Sequence, residues 1–276
     1  MPSTALVRPR KRFGQHFLSD ANLARRIVAL ARLTGRETVL EIGPGLGALT
    51  RLLVQEAAHL YLIEIDRDLS RRLREEFASD SRVQVMEGDV LDIDLPALLP
   101  TKEAVVVVAN LPYNISTPVL MQLLETPAHF ARLVLMLQRE VAERLCAAPG
   151  SKAYGALSVM AQLVAVMRIA LRVPPAAFSP RPKVESAVVL IEPRRDGQVS
   201  EGERRAVRRV VRTVFSQRRK QLGNALAPLT PHPHAVLRDL GIDPRRRPET
   251  LTVEEFVRLG RALNPEKEIE TTDAHR

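Results

Sequence analysis

Val105-Val106-Val107-Val108-Ala109 runs directly into Asn110-Leu111-Pro112-Tyr113. The run is β-branched and continuous, so it reads as a strand covered on both faces, as in a parallel sheet. In open α/β sheets ligands bind beyond the carboxyl ends of the strands. Asn110 to Tyr113 stand at such an end. Pro112 has a fixed φ and no N–H, and it biases Leu111 toward an extended conformation. The Leu111 carbonyl and the Asn110 side-chain carbonyl then form two acceptors aimed at one spot. An exocyclic amine has two N–H donors to meet them, and Tyr113 offers a ring on which a base can stack. The plainer reading of the tetrapeptide is a strand followed by a Pro turn.

Outward from this strand the chain alternates. Thr38 to Ile42, Leu60 to Ile65, Val83 to Met86 and Leu133 to Leu137 read as short strands. Leu46 to Gln55, Asp68 to Phe77, Thr117 to Leu124 and Arg139 to Ala147 read as helices. This βα alternation predicts a doubly wound, mostly parallel sheet. Ahead of it, Ser19 or Asp20 caps a helix running to about Leu33. After a helix at Ala156–Val164 the pattern changes. Arg168 to Val173 and Ser186 to Ile191 are strands separated by a Pro-rich loop, which predicts an antiparallel edge on the sheet. Pro193 to Ser200 reads as a linker. Helical, Arg-rich stretches follow at Glu203–Phe215, Ala235–Leu240 and Val253–Leu263. The expected organisation is an α/β domain over 1–193, opened by a basic arm over 1–19. A smaller all-helical domain spans 200–263, and the polar tail over 264–276 is expected to be disordered.

The 276 residues carry a formal charge of +9. Such an excess is an argument about partners, nucleic acid and anionic membrane surfaces first among them. Cys146 is the single cysteine, so no internal disulfide forms and a reducing, cytoplasmic setting is expected. Neither Cys146 nor the six histidines show metal-ligand spacing, and no metal is expected. No apolar segment approaches a membrane span, and the basic N-terminus lacks the apolar stretch of a signal peptide.

Glu41-Ile42-Gly43-Pro44-Gly45-Leu46-Gly47 places a Gly-rich turn between the first sheet strand and its helix. A dinucleotide fingerprint from Gly43 would be completed by Ala48, a residue such fingerprints accept. Pro44 removes an amide that a pyrophosphate would use, and Glu41 is a carboxylate beside the turn. Both favour a cationic ligand such as a sulfonium amino acid. Glu64 ends the second strand of the alternation and can accept from both ribose hydroxyls. Asp89, in Gly88-Asp89-Val90, follows the third and can accept from an adenine amine. A ribose is common to NAD and S-adenosylmethionine, so Glu64 alone does not separate them.

These residues in this order resemble the class I S-adenosylmethionine-dependent methyltransferases, and more narrowly the rRNA adenine N6,N6-dimethyltransferases. Three further segments are similar to motifs of that family. Gly14-Gln15-His16-Phe17-Leu18 matches its N-terminal cofactor motif. Phe178-Ser179-Pro180-Arg181-Pro182-Lys183-Val184-Glu185-Ser186 matches its target-base loop. Phe215-Ser216-Gln217-Arg218-Arg219-Lys220-Gln221-Leu222 matches the helical-domain motif of the branch acting on small-subunit rRNA. The resemblance covers roughly residues 8–263 and implies a Rossmann-like, seven-stranded catalytic domain. It implies that His16, Leu18, Gly43, Gly45, Glu64, Asp89 and Asn110 contact S-adenosylmethionine, with S-adenosylhomocysteine as product. Asn110, Leu111, Pro112 and Tyr113 would then hold the target adenine, with Phe178 stacking on its other face.

Residues 194–276 hold 18 Lys and Arg against 12 Asp and Glu, one-sided clustering that favours phosphate contact. Arg218, Arg219 and Lys220, with Arg181 and Lys183 beside the target-base loop, are the expected RNA contacts. The resemblance implies dimethylation of two adjacent adenosines in a 3′-terminal stem-loop of 16S rRNA, in an assembling 30S subunit, by a monomer. The rival readings are a 23S rRNA adenine methyltransferase of the macrolide-resistance type, a ribosome assembly factor with little catalysis and, more distantly, a DNA adenine methyltransferase.

Overall fold

The computed structural model describes residues 10, 14–99, 105–194 and 199–264. The expected tail, from 265 onward, and most of the basic arm before Gly14 lie outside them. The chain divides into two compact units, one of residues up to Ala142 with Ala165–Pro193, the other of Glu143–Val164 with residues from Arg194 onward.

Among the described residues the first unit is built on nine strands: β1 (Phe17–Leu18), β2 (Thr38–Ile42), β3 (His59–Glu64), β4 (Val83–Glu87), β5 (Val105–Asn110), β6 (Phe130–Gln138), β7 (Ala165–Val173), β8 (Phe178–Ser179) and β9 (Ser186–Pro193). Seven form one sheet in the order β4-β3-β2-β5-β6-β9-β7. The five strands from β4 to β6 are parallel, and β9 pairs antiparallel with both β6 and β7. The expected antiparallel edge is therefore present, with β9 inserted between β6 and β7. Every residue of β2 and Val105–Ala109 of β5 are buried, as their continuous apolar runs require of strands covered on both faces.

Helices α1 (Ala21–Ala31), α2 (Thr50–Glu56), α3 (Arg67–Glu76), α4 (Leu95–Leu98) and α5 (Ser116–Glu125) lie in this unit, and α6 (Arg139–Leu145) runs across its boundary. Asp20 caps α1, accepting from Leu23 N at 2.9 Å. Leu23, Ala24, Ile27, Val28 and Ala31 then form the helix's buried stripe, at the spacing that puts side chains on one face. Helix α2 begins at Thr50 rather than at Leu46. Gly45 and Gly47 hold φ of +59° and +80°, left-handed values that keep Leu46–Leu49 in the turn.

The order of strands reverses between β2 and β5, which are adjacent and parallel. This switch point opens a crevice at the carboxyl ends of the two strands. The Gly turn leaves β2 there, and Asn110-Leu111-Pro112-Tyr113 leaves β5 there. A second, two-stranded sheet pairs β1 with β8, Phe17 opposite Ser179 and Leu18 opposite Phe178. It ties the N-terminal segment to the Pro-rich loop.

The second unit contains α7 (Ala156–Val164), α8 (Glu201–Ser216), α9 (Leu222–Ala225), α10 (Pro233–Asp239) and α11 (Val253–Ala262). This unit also takes in Glu143–Val164, which the sequence reading placed in the α/β domain over 1–193. Val159 and Leu163 of α7 pack in one cluster with Val207, Val210, Val211 and Val214 of α8 and Phe256 and Leu259 of α11. Ser200 with Glu203, and Thr252 with Glu255, form capping boxes on α8 and α11. A Cβ at Gly260 would lie 2.8 Å from Val207 Cγ2, so α8 and α11 touch as closely as a glycine allows. No helix among the described residues is long and apolar enough to cross a membrane.

Candidate active site

The crevice at the switch point is lined from four directions. The N-terminal segment contributes Gly14 to Leu18, and the Gly turn contributes Glu41 to Gly45. The ends of β3 and β4 add Glu64 and Asp89, and the end of β5 adds Asn110 to Tyr113. The sequence-predicted cofactor residues His16, Leu18, Gly43, Gly45, Glu64, Asp89 and Asn110 thus meet at one cleft.

The turn is shaped by carboxylates and by close backbone approach. Gly43 has a φ of +67°, and a Cβ there would meet Pro112 Cδ at 3.8 Å and Asn110 O at 3.9 Å. At Gly45 a Cβ would lie 3.0 Å from the Phe17 ring. Glu64 is 4% exposed and accepts two backbone bonds, from Gly45 N to Oε2 and from Asp66 N to Oε1, both at 2.9 Å. Burial raises its carboxyl above the ordinary range against those two bonds. Each oxygen keeps a second lone pair for a ribose hydroxyl. Asp89 caps the turn after β4 through Leu91 N at 3.0 Å, and its second oxygen remains for an amine.

Glu41 is 2% exposed and its Oε2 accepts from the Thr50 hydroxyl at 2.7 Å. Burial pushes its carboxyl up to about 8. The Thr50 bond offsets part of this, and the nearby Glu64 charge adds to it. A buried carboxyl facing a cleft with one hydroxyl partner suits a bound cation, which favours its ionised form.

Behind the Gly turn lies a clasp that the sequence reading missed. Gln15 Nε2 donates to Asp66 Oδ2 at 3.2 Å, and Arg10 lies 3.3 Å from Asp66 Oδ1. Asp66 in turn donates its N–H to Glu64, so the N-terminal segment is linked to Glu64 through one buried aspartate. Gln15 stood inside a quoted motif, but nothing in the sequence named its partner.

In the tetrapeptide the side-chain and main-chain amides are held. Asn110 Nδ2 donates to His16 O at 3.1 Å, which assigns the amide's orientation and leaves Oδ1 as the group free to accept. The Leu111 amide donates to Met136 O at 3.2 Å, and the Pro112 carbonyl accepts from Ile115 N at 3.1 Å. Among the described hydrogen bonds none ends on the Leu111 carbonyl. His16 Nδ1 lies 2.8 Å from Pro180 O; because a carbonyl only accepts, Nδ1 carries the proton and Nε2 is the nitrogen left for a ligand.

One expectation changes. Phe178 is 2% exposed and packs in the hydrophobic core with Leu18, Ala177 and Val173. It is not among the residues that line the cleft; β8 places it opposite Leu18 of β1. Of the expected RNA contacts, Arg218 donates to the carbonyls of Lys152 and Tyr154 at 2.9 and 3.2 Å, holding a turn of its own unit. Arg218 is nonetheless exposed, as are Arg181, Lys183, Arg219 and Lys220.

A sheet of this order, with a Gly turn and acidic strand ends at its switch point, defines a class I methyltransferase, which takes its methyl group from S-adenosylmethionine. The family model for ribosomal RNA adenine dimethylases matches residues 7–264, and the chain belongs to that family. A protein of Syntrophotalea carbinolica named ribosomal RNA small subunit methyltransferase A is 47% identical over 261 residues, covering 94% of this chain and 98% of the relative. A relative of the same name from Geobacter sulfurreducens is 46% identical, over 93% and 96%. Among solved structures, a dimethyladenosine transferase from Plasmodium falciparum superimposes with a TM-score of 0.78 at 26% identity, covering 88% of this chain and 96% of that one. The 23S rRNA methyltransferase ErmE gives 0.71 at 25%, covering 90% and 99%.

Proposed function

We propose that this protein dimethylates, at N6, two adjacent adenosines in a 3′-terminal stem-loop of 16S rRNA in the assembling 30S subunit. It would act as a cytoplasmic monomer. The carrying observation is the Asn110 amide, fixed by His16 O so that its carbonyl remains to accept beside the Leu111 carbonyl. The small-subunit target is supported by the names of relatives at 46–47% identity over almost their whole length.

S-adenosylmethionine supplies an electrophilic methyl on a sulfonium sulfur. The chain's residues hold it and aim the nucleophile. Glu64 would hold the ribose and Asp89 the adenine amine, with His16 and Leu18 contacting the cofactor from the N-terminal segment. Adenine N6 is a poor nucleophile because its lone pair is delocalised into the ring. Asn110 Oδ1 and Leu111 O accept its two N–H bonds and favour a pyramidal nitrogen, which is catalysis by position and electrostatics. The adenine leaves its stack to enter the cleft, and Tyr113 provides the aromatic face against which it rests.

Incubation with labelled S-adenosylmethionine and unmodified small or large subunits, followed by mapping of methylated nucleotides, tests the assignment. Label on adjacent small-subunit adenosines is expected; label confined to large-subunit rRNA would overturn it.

Glu41 predicts a pH dependence. Its carboxyl is protonated in the free protein below about 8, and a cation favours the ionised form. Binding of S-adenosylmethionine below that pH should therefore release a proton, and affinity should rise as pH climbs from 7 to 9. S-adenosylhomocysteine, lacking the sulfonium charge, should show a smaller rise. Calorimetry in buffers of differing ionisation enthalpy reads the proton, and Glu41→Gln should remove the effect.

Phosphate contact through Arg181, Lys183, Arg219 and Lys220 predicts that RNA affinity falls linearly on a log–log plot against salt. Lys220→Ala should reduce that slope by about one, as read by filter binding over a salt series. An unchanged slope would remove Lys220 from the interface.

A further inference from the structure

Three contacts converge on Tyr113. Its hydroxyl lies 2.6 Å from Ser186 Oγ. Its ring sits 5.6 Å from the His16 imidazole at an interplanar angle of 30°. Its carbonyl accepts from Ser116 Oγ at 3.2 Å, which fixes the main chain beneath the ring. The ring itself is half-buried and lines the cleft.

Ser186 is the most constrained of these partners. It has no solvent exposure, and β9 holds it between two neighbours, opposite Gln138 of β6 and Val173 of β7. The phenol oxygen is the far end of the tyrosine lever, so a bond at that end restricts both side-chain torsions at once. Pro180 O is held by His16 Nδ1, so both ends of the loop that carries Arg181 and Lys183 close on the same pair of rings.

We infer that Ser186 is a positioning residue for methyl transfer: its buried hydroxyl sets the plane of the Tyr113 ring and ties that stacking face to the RNA-contacting loop. The inference rests on the reading of Tyr113 as the platform for the target base. It separates from a merely structural bond by where the loss appears. A hydroxyl pair that only satisfies buried polar atoms would change thermal stability and leave kinetics alone. A pair that orients the ring would change turnover on RNA and leave the cofactor pocket alone.

The test uses the full chain and small ribosomal subunits lacking the modification. Ser186→Ala should lower kcat/KM for the subunits by about five- to tenfold, the worth of one hydrogen bond. S-adenosylhomocysteine affinity by calorimetry should stay within about twofold, because Ser186 itself lines no part of that cleft. Tyr113→Phe should show the same loss, and the double variant should lose nothing further. Wild-type kinetics in Ser186→Ala, or losses that multiply in the double variant, would overturn the inference. Should Ser186→Ala fail to fold, Tyr113→Phe decides alone, since full activity there removes the hydroxyl bond from the mechanism. Failure of the underlying reading looks different. Full activity of Tyr113→Ala would remove the platform itself, whereas an inactive Tyr113→Ala beside a fully active Tyr113→Phe overturns only the part assigned to Ser186.

Discussion

Asn110→Ala is expected to lower kcat for methyl transfer by about 10²–10³-fold, the scale of removing one preorganised polar group from a transition state. Product binding should weaken far less. In the proposed reaction the lost carbonyl meets the amine nucleophile, where charge develops only during transfer. The lost amide donates to His16 O, and one such bond is worth at most about tenfold in affinity. The two halves of the side chain therefore predict a split between turnover and binding. Asn110→Asp sharpens it. The carboxylate keeps an acceptor for the amine but has no donor for the His16 carbonyl, so two oxygens would oppose each other. That variant should also lose the N-terminal segment's closure, and its affinity for S-adenosylhomocysteine should fall below that of the alanine variant. Single-turnover transfer of labelled methyl and product calorimetry read the two effects; a wild-type rate in Asn110→Ala would remove Asn110 from the reaction.

Why Asn110 could be picked out of the sequence, and its partners could not, follows from the physics of each signal. The Val run marks a strand buried on both faces whatever lies beside it, and β5 lies where it was expected. Positive-φ glycines mark the turn after β2 for a similar local reason. The β1–β8 pair offers no such signal. Two residues are too few for a period, and the pairing joins Phe17 to Ser179 across the whole catalytic unit. Phe178 lies in that pair, opposite Leu18; its motif position suggested a stacking face, but no local signal shows that the side chain packs in the core. The Arg-rich stretch was one-sided in charge. Sequence alone could not show that one guanidinium nitrogen of Arg218 also holds two carbonyls of its own unit.

Glu64 carries the second large effect, and its geometry makes glutamine almost as damaging as alanine. Both carboxylate oxygens accept backbone N–H groups, Gly45 on one and Asp66 on the other. An amide has one oxygen and one nitrogen, so Glu64→Gln must set a donor against one of those N–H groups. A buried donor left without an acceptor costs about 1–3 kcal/mol, and here it would loosen either the Gly turn or the cap of α3. The ribose acceptor is weakened in the same step. The two losses together should reduce affinity for S-adenosylmethionine and S-adenosylhomocysteine by about a hundredfold, while Glu64→Ala should lose slightly more. Because Asp66 also receives Gln15 and Arg10, the N-terminal segment should become more accessible to proteolysis in both variants, an effect that a lost ribose contact alone would not produce. Calorimetry and limited digestion read these independently. Native affinity in Glu64→Gln would show that the carboxylate's two bonds are not what holds the turn, and that the clasp from Gln15 through Asp66 to Gly45 does not transmit to the cofactor pocket.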